Sequence, residues 1–266
     1  MTTYTSKRSH LGQLMAHKDL LISWTSRIVK ARYQQSLLGG LWAIMQPLAL
    51  ALIFTVVFTF FVPMDTGATP YVVFSYAAMV PWLLFDTSIS SSVVSLVANM
   101  GLVSKIYFPR EILPIAEVLA RLVDFGIAYI LLILFMIYYQ LDVFTLSWLY
   151  LPIILITQLC FIMGLGLIGS ALNVFYRDIS HMVVLILKLW MYATPIIYPV
   201  SNIPSEYVGY YFINPMAGII ESYRNVLLEG TGLHEYFGLS AVISVTVLVF
   251  GYWLFKKLEF QFADIV

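Results

Sequence analysis

The sequence predicts an all-α polytopic membrane protein, and three observations support this fold class. Hydrophobic residues make up 61% of the 266 residues and charged residues only 11%, whereas a soluble domain has roughly 45–50% apolar and about 25% charged residues. The apolar residues form segments long enough to cross a bilayer. The basic residues fall almost entirely in alternate connections between those segments. Together these features exclude a typical soluble enzyme, a disordered chain and a disulfide-stapled domain.

Six segments have the length and apolarity of a membrane-spanning helix, which needs about 20 residues to cross about 30 Å of hydrocarbon. They are residues 38–61, 71–97, 118–140, 148–174, 182–200 and 236–255. A Pro-Met-Asp turn, and no small-residue cleavage site, follows the first segment, so we expect it to remain in the mature protein. We find no long internal repeat, and a single transmembrane domain over residues 1–266 is the simplest organisation.

The basic residues predict the orientation of the chain. Twelve of the fourteen Lys and Arg residues lie on one side of the membrane if the six segments alternate in direction. Arg224 lies on the other side, and Lys188 lies inside the fifth segment. Because basic residues concentrate in cytoplasmic loops, both termini are predicted to be cytoplasmic.

Residues 17–35 are too rich in basic residues to span the membrane. Their apolar residues, such as Leu20, Trp24 and Ile28, recur at helical spacing, and the basic residues lie mostly off that face. This pattern predicts an amphipathic helix in the cytoplasmic membrane interface. A cytoplasmic helix packed on a partner protein has the same pattern, and the two interpretations are compatible.

Residues 201–235 contain two apolar pieces, 207–213 and 215–228, each too short to cross the membrane. Asn214 is a favourable N-cap, and Pro215 suits the first position of a helix. We therefore expect a short helical hairpin or re-entrant segment on the outer side.

The sequence shows no catalytic or nucleotide-binding motif. Gly164, Gly166 and Gly169 form a G-x-G-x-x-G pattern, but it lies within an apolar run, where small residues favour close helix packing. There is no G-x-x-x-x-G-K-[ST] motif, and the four histidines lack metal-ligand spacing. We expect no enzymatic activity, cofactor or metal in this chain, so any energy for transport would come from an ion gradient or a partner.

Three ionisable residues inside the predicted spans bear on ion coupling. Asp124 follows Arg121 by three residues, which favours a local ion pair. Lys188 lies roughly 9 Å into its span, close enough to the interface for its ammonium group to snorkel. Asp86 begins a serine-rich stretch, which either packs against other helices or lines a water-filled path.

Aromatic residues on shared helix faces suggest a surface for sugars. Trp42 and Gln46 share a face of the first span, and Lys188 and Tyr192 share a face of the fifth. Flat rings can stack on the C–H faces of sugars without holding them by strong hydrogen bonds. Core packing and interfacial belts are the plainer interpretation for most of the aromatic residues.

Five strings carry a resemblance to a known family. They are RYQQSLLGGLWAIMQP from Arg32, YFPREILP from Tyr107, FYRDI from Phe175, TPIIYP from Thr194, and NPM from Asn214 followed by Glu221, Tyr223 and Arg224. In this order they resemble the permease subunits of type-two ABC exporters of bacterial surface polysaccharide, chiefly O-antigen and teichoic-acid exporters. Capsule exporter permeases are related and less similar.

The resemblance implies a homodimer in the bacterial cytoplasmic membrane, with the polymer path between the two copies. Spans one and five would line this path through Trp42, Gln46, Lys188, Tyr192 and Tyr198. Two copies of a separate cytoplasmic ATPase would bind ATP and Mg. The substrate would be a polysaccharide on a polyprenyl-diphosphate lipid, moved outward.

The resemblance also implies roles for two charged groups. Residues 99–114 would form a loop that docks on the ATPase, with Lys105, Tyr107, Arg110 and Glu111 as its coupling residues. Glu221 and Arg224, three residues apart, would hold an outer gate helix. The plainer interpretations are charges that set topology and a surface ion pair worth about 0.2–0.5 kcal/mol.

Three alternative functions are distinguishable from polysaccharide export. A drug or lipid exporter of the same fold would differ in what accumulates when the chain is absent. An ion-coupled secondary transporter would work without an ATPase and usually shows midplane charges or inverted repeats. An intramembrane enzyme would need a catalytic cluster.

Overall fold

The computed structural model describes residues 17–34, 39–67, 69–103, 105 and 108–262, and within these ranges it is helical with no β-strand. The α-helices are α1 (Lys18–Gln34), α2 (Leu41–Val56), α3 (Tyr71–Ala98), α4 (Met100–Val103), α5 (Ile112–Tyr138), α6 (Leu151–Phe175), α7 (Ile179–Tyr192), α8 (Ser205–Tyr211), α9 (Pro215–Arg224) and α10 (Phe237–Leu258). Short π-helical turns, Val57–Phe61 and Asn225–Glu229, extend α2 and α9, and 3₁₀ turns occur at Leu146–Tyr150, Val200–Asn202 and Glu259–Gln261.

Five helical segments in the described part of the chain are long and apolar enough to cross a membrane. They are Leu41–Phe61, Tyr71–Ala98, Ile112–Tyr138, Leu146–Phe175 and Phe237–Gln261. The chain is therefore a polytopic α-helical membrane protein, as the sequence predicts. The third segment begins at Ile112, six residues before the predicted start at 118.

The predicted fifth span, 182–200, corresponds to a shorter helix followed by an irregular segment. Helix α7 has 14 residues, or about 21 Å at 1.5 Å per residue. It ends at Tyr192 because Pro195 biases Thr194 away from helical geometry, and Pro199 restricts the backbone of Tyr198 in the same way. Residues 193–199 continue as turns and bends.

Helix α3 is the central helix of the bundle. In its most apolar 18-residue stretch 83% of the residues are buried, against 11% in the corresponding stretch of Leu41–Phe61. It packs against α2, α5, α6, α7 and α9. Ser88, Ser92 and Ser95 in its polar half are buried, and Ser92 donates a hydrogen bond to the carbonyl of Pro114 at 3.1 Å. These serines therefore serve helix packing, the first of the two interpretations offered for this stretch.

Helix α1 lies against the end of the bundle formed by the start of α5 and the end of α10. Leu20, Leu21 and Trp24 pack on an apolar cluster that includes Phe108 and Phe255. The opposite face is open, and Ile22 is exposed. The amphipathic helix predicted at 17–35 is thus present at Lys18–Gln34, with its apolar face partly used by the bundle.

The glycines of α6 allow the close helix packing that the sequence predicts. A Cβ atom added at Gly164 would lie 2.6 Å from the backbone of Val247 in α10, and one added at Gly169 would lie 2.5 Å from Val93 in α3. Gly251 of α10 faces the carbonyl of Gly164 in the same crossing. At Gly164 the added Cβ would meet backbone atoms of Val247 and Leu248, so no side-chain movement can make room for it.

We expect Gly164→Ala to destabilise the protein by about 1–3 kcal/mol, because the added methyl group overpacks the α6–α10 crossing. The measurement is thermal unfolding of the purified protein in detergent. Gly126→Ala is the matched control, since nothing lies within 4 Å of a Cβ at Gly126 in α5. Equal melting temperatures for the two variants would contradict this account.

Candidate functional site

Arg224, near the end of α9, is the most buried cationic side chain among the described residues, with 3% of it exposed. Its Nη1 lies 2.7 Å from Oε1 of Glu221 and donates to the carbonyl of Pro195 at 2.5 Å, and its Nη2 donates to the carbonyl of Ile196 at 2.8 Å. The guanidinium also lies 3.6 Å from the ring centroid of Phe74 in α3. Arg224 therefore ties α9 to the irregular segment after α7 and to the start of α3.

The predicted ion pair between Glu221 and Arg224 is present, but the plainer interpretation of it as a surface pair is wrong. A surface pair would be screened by water and worth little. Here Arg224 is almost fully buried, so removing Glu221 would leave a buried cation without its counter-ion.

Asn214 joins the same segment from the beginning of α9. Its Oδ1 accepts a hydrogen bond from the backbone N–H of Met216 at 3.1 Å, which confirms it as the N-cap. The same oxygen accepts from Nε1 of Trp190 at 2.9 Å. Its amide nitrogen donates to Oγ1 of Thr194 at 2.9 Å and to the carbonyl of Ala193 at 3.2 Å.

We call this group the outer cluster. It consists of the hydrogen-bonded side chains of Tyr71, Trp190, Thr194, Tyr198, Tyr211, Asn214, Glu221 and Arg224. Tyr71 completes it by donating to the carbonyl of Ile197 at 2.6 Å. Two motifs that are separate in sequence, TPIIYP and the segment from Asn214 to Arg224, thus form one hydrogen-bonded unit.

The residues predicted for ATPase coupling occupy different environments. Lys105 is exposed, Arg110 is half-buried, and Tyr107 lies outside the described residues. Glu111 is buried, with 1% of its side chain exposed. Its carboxylate therefore does not reach the surface where a partner would dock.

Glu111 belongs to an inner cluster with Arg110, Lys256 and Glu259. The Nζ atom of Lys256 lies 2.7 Å from the Glu111 carboxylate and 2.9 Å from that of Glu259. The guanidinium of Arg110 donates to the backbone carbonyl of Glu259. These contacts fasten the end of the predicted coupling loop to the end of α10.

The residues predicted to line a channel divide into two groups. Trp42 and Gln46 are exposed on α2 and line a cavity bounded by α2, α3 and α5. Lys188 and Tyr192 are exposed on α7, and half-buried Tyr198 shares a hydrogen bond with Tyr211 at 3.1 Å. Among the described residues no hydrogen bond or ring contact joins the α2 group to the α7 group.

Sequence reasoning missed partners that are far apart in the chain. Asp124 does contact Arg121, at 3.5 Å, but Arg32 of α1 is closer at 2.6 Å, and the hydroxyl of Tyr33 also donates to its carboxylate. For Lys256 the sequence indicates only a role in topology. No spacing rule connects residues 92 or 145 positions apart, so a single sequence gives no signal for these pairs.

Comparison with known proteins identifies the family. The sequence profile described as ABC-2 type transporter matches residues 20–228. The chain is 33% identical over 258 residues to an O-antigen export system permease protein RfbA of Klebsiella pneumoniae, covering 97% of each chain. It is 31% identical over 261 residues to the protein of the same name from Myxococcus xanthus, covering 95% of this chain and 97% of that one.

A more distant relative is the polysialic acid transport protein KpsM of Escherichia coli, which is 25% identical over 240 residues and covers 88% of this chain and 91% of its own. The fold and these matches define a membrane-embedded transport subunit. The chain belongs to the ABC-2 type transporter family, and it is an inner-membrane permease rather than an enzyme, as predicted.

Proposed function

We propose that this chain is the permease subunit of an ATP-driven exporter of a bacterial surface polysaccharide of the O-antigen or teichoic-acid type. The observation that carries the proposal is the 33% identity, over 97% of both chains, to a permease named for O-antigen export. In this proposal the polymer is linked to polyprenyl diphosphate and moves outward. Two copies of a separate cytoplasmic ATPase bind ATP and Mg and supply the energy.

The active unit we propose is a homodimer with the polymer path between two copies of the chain. Exposed surface on two helices supports this: only 11% of the apolar stretch of Leu41–Phe61 is buried, while Trp42 and Tyr192 are 58% and 60% exposed. Trp42, Gln46, Lys188, Tyr192 and Tyr198 would line the path, with aromatic faces on which sugars can slide.

We further propose six membrane crossings, with both termini in the cytoplasm, α1 in the interface and residues 201–235 as a re-entrant outer segment. The fifth crossing would combine α7 with residues 193–199. Irregular backbone is tolerated at membrane depth only where its polar groups are satisfied within the protein. The hydrogen bonds from Arg224, Tyr71 and Asn214 to the carbonyls of this segment support that arrangement.

The coupling loop has two parts in this proposal. Lys105 and Arg110, with Tyr107, would contact the ATPase. Glu111 would act through Lys256 as a positioning residue that holds the loop against α10. The outer cluster would act as the gate, since it fixes α9 against the irregular segment after α7.

The first test is deletion of the gene in its native host. Surface polymer should disappear and lipid-linked polymer should accumulate on the cytoplasmic side, because synthesis continues while export stops. Both pools are quantified, and their sugars identify the substrate. Unchanged surface glycan would overturn the proposal and favour export of a drug or a lipid.

The second test addresses the gate. Glu221→Ala should impair export while the complex still assembles, since the variant leaves Arg224 buried without its counter-ion and weakens the hold on α9. Surface polymer and assembled complex are measured together. Glu206→Ala is the control, as this carboxylate is exposed on α8. Normal export by the Glu221 variant would remove the pair from the gate.

The third test addresses coupling. Glu111→Gln combined with Lys256→Met removes both charges of the Glu111–Lys256 pair at similar volume, and it also removes the contact between Lys256 and Glu259. We expect ATP hydrolysis to continue while the polymer exported per ATP falls several-fold, because the loop loses its attachment to α10. Lys257→Met is the control. An unchanged ratio of export to hydrolysis would exclude the positioning role.

A further inference from the structure

A cavity of about 220 Å³ lies where α1 meets the transmembrane bundle, between α2, α3 and α5. Its charged wall contains Arg32, Arg121 and Asp124. The remaining wall is largely apolar and includes Trp42, Pro47, Leu83, Leu84 and Phe125. A cavity with one basic end and apolar walls is suited to an amphipathic ligand rather than to a free ion.

One cation in this cavity is left without a full partner. Arg32 lies 2.6 Å from Asp124, whose other oxygen accepts from Tyr33, so this carboxylate is already engaged. Arg121 approaches Asp124 only to 3.5 Å. Its Nε atom is buried and has no hydrogen-bond partner among the described residues.

Two other carboxylates lie near Arg121 but outside the cavity wall. Glu117 and Asp86 interact electrostatically with Arg121. Neither of them lines the cavity, and in the described part of the chain neither forms a salt bridge with Arg121. The charged groups that line the cavity are therefore the guanidinium groups of Arg32 and Arg121 and the carboxylate of Asp124.

The depth of Arg121 places this charge at the boundary between headgroups and hydrocarbon. It is the tenth residue of α5, about 14 Å from the start of a helix about 40 Å long. If α5 is centred in about 30 Å of hydrocarbon, the Cα atom lies about 9 Å inside the boundary, within reach of a long side chain. An arginine at this depth is costly unless it has a function or a partner.

We propose that this cavity binds the phosphate-bearing headgroup of an anionic lipid from the cytoplasmic leaflet. The guanidinium of Arg121 contacts the phosphate, whose oxygens suit its planar fork of donors. Arg32 supplies the second positive group from α1, and the hydrocarbon chain lies along Trp42 and the apolar wall. Bound lipid thereby joins the interface helix to the bundle.

Two lipids share this chemistry. One is an ordinary anionic phospholipid such as phosphatidylglycerol. The other is a polyprenyl diphosphate, and assigning the site to this lipid rests on the proposed function. The cavity binds a lipid phosphate in either case, so failure of the proposed function leaves the phospholipid assignment standing.

Native mass spectrometry of the purified, full-length protein tests the site. Phosphatidylglycerol, undecaprenyl diphosphate and zwitterionic phosphatidylcholine are added separately at equal concentrations. We expect at least one anionic lipid to bind more tightly than phosphatidylcholine. Arg121→Gln should weaken that binding about tenfold or more, since it removes hydrogen bonds between charged groups.

Two further variants separate binding from folding. Arg177→Gln, which changes an exposed arginine outside the cavity, should bind as the unmodified protein does. Ala43→Phe should reduce binding by filling the cavity while both arginines remain, so the site stays testable if Arg121→Gln does not fold.

The pattern across the lipids identifies the source. If Arg121→Gln and Ala43→Phe lose binding of phosphatidylglycerol alone, the ligand is a phospholipid. If they lose binding of undecaprenyl diphosphate alone, the ligand is the carrier lipid. Equal binding of phosphatidylcholine, or full binding of both anionic lipids by folded Arg121→Gln and Ala43→Phe, would overturn the proposal.

Discussion

The hydrogen bonding of residues 193–197 is the constraint on which the packing of α7, α9 and the start of α3 depends. When α7 ends at Tyr192, the carbonyls beyond it lose their helical partners, and an unsatisfied buried carbonyl costs free energy comparable to a lost hydrogen bond. Arg224 donates hydrogen bonds to the carbonyls of Pro195 and Ile196. Asn214 donates to the carbonyl of Ala193, and Tyr71 donates to that of Ile197. Helix α9 can therefore not move away without exposing these groups, and this requirement fixes its position against residues 193–197.

Helix α3 explains why one chain leaves so much apolar surface open. It is contacted by helices on most of its circumference, so the bundle is organised around a helix that is buried along its length. Helices α2 and α7 lie beside it and expose Trp42 and Tyr192. A small membrane protein with one buried central helix and open flanking faces has the surface that a second copy, lipid or substrate can cover.

Local features of the sequence predicted much of this structure. Spacing predicted the Glu221–Arg224 contact, capping chemistry predicted the role of Asn214, and small side chains predicted close packing of α6, because each depends on residues within a turn or two. The sequence did not indicate that α10 is the helix that packs there. The length of α7 was predicted too long, although Pro195 was visible, because hydropathy alone continues past it. The partners of Asp124 and Glu111 could not be predicted, since they depend on how distant helices meet.

Helix α10 connects the inner and outer clusters physically. Its C-terminal end carries Lys256, which holds Glu111, and Gly251 lies against Gly164 of α6. At its other end Ser240 lies against Gly218 of α9, the helix that carries Arg224. In the proposed mechanism this helix of 22 residues, about 33 Å long, would carry a shift of the coupling loop to α9 through direct contacts. The contacts of α10 with α6 and α9 leave no space for an added methyl group at Gly164, Gly251 or Gly218, and such close packing resists deformation.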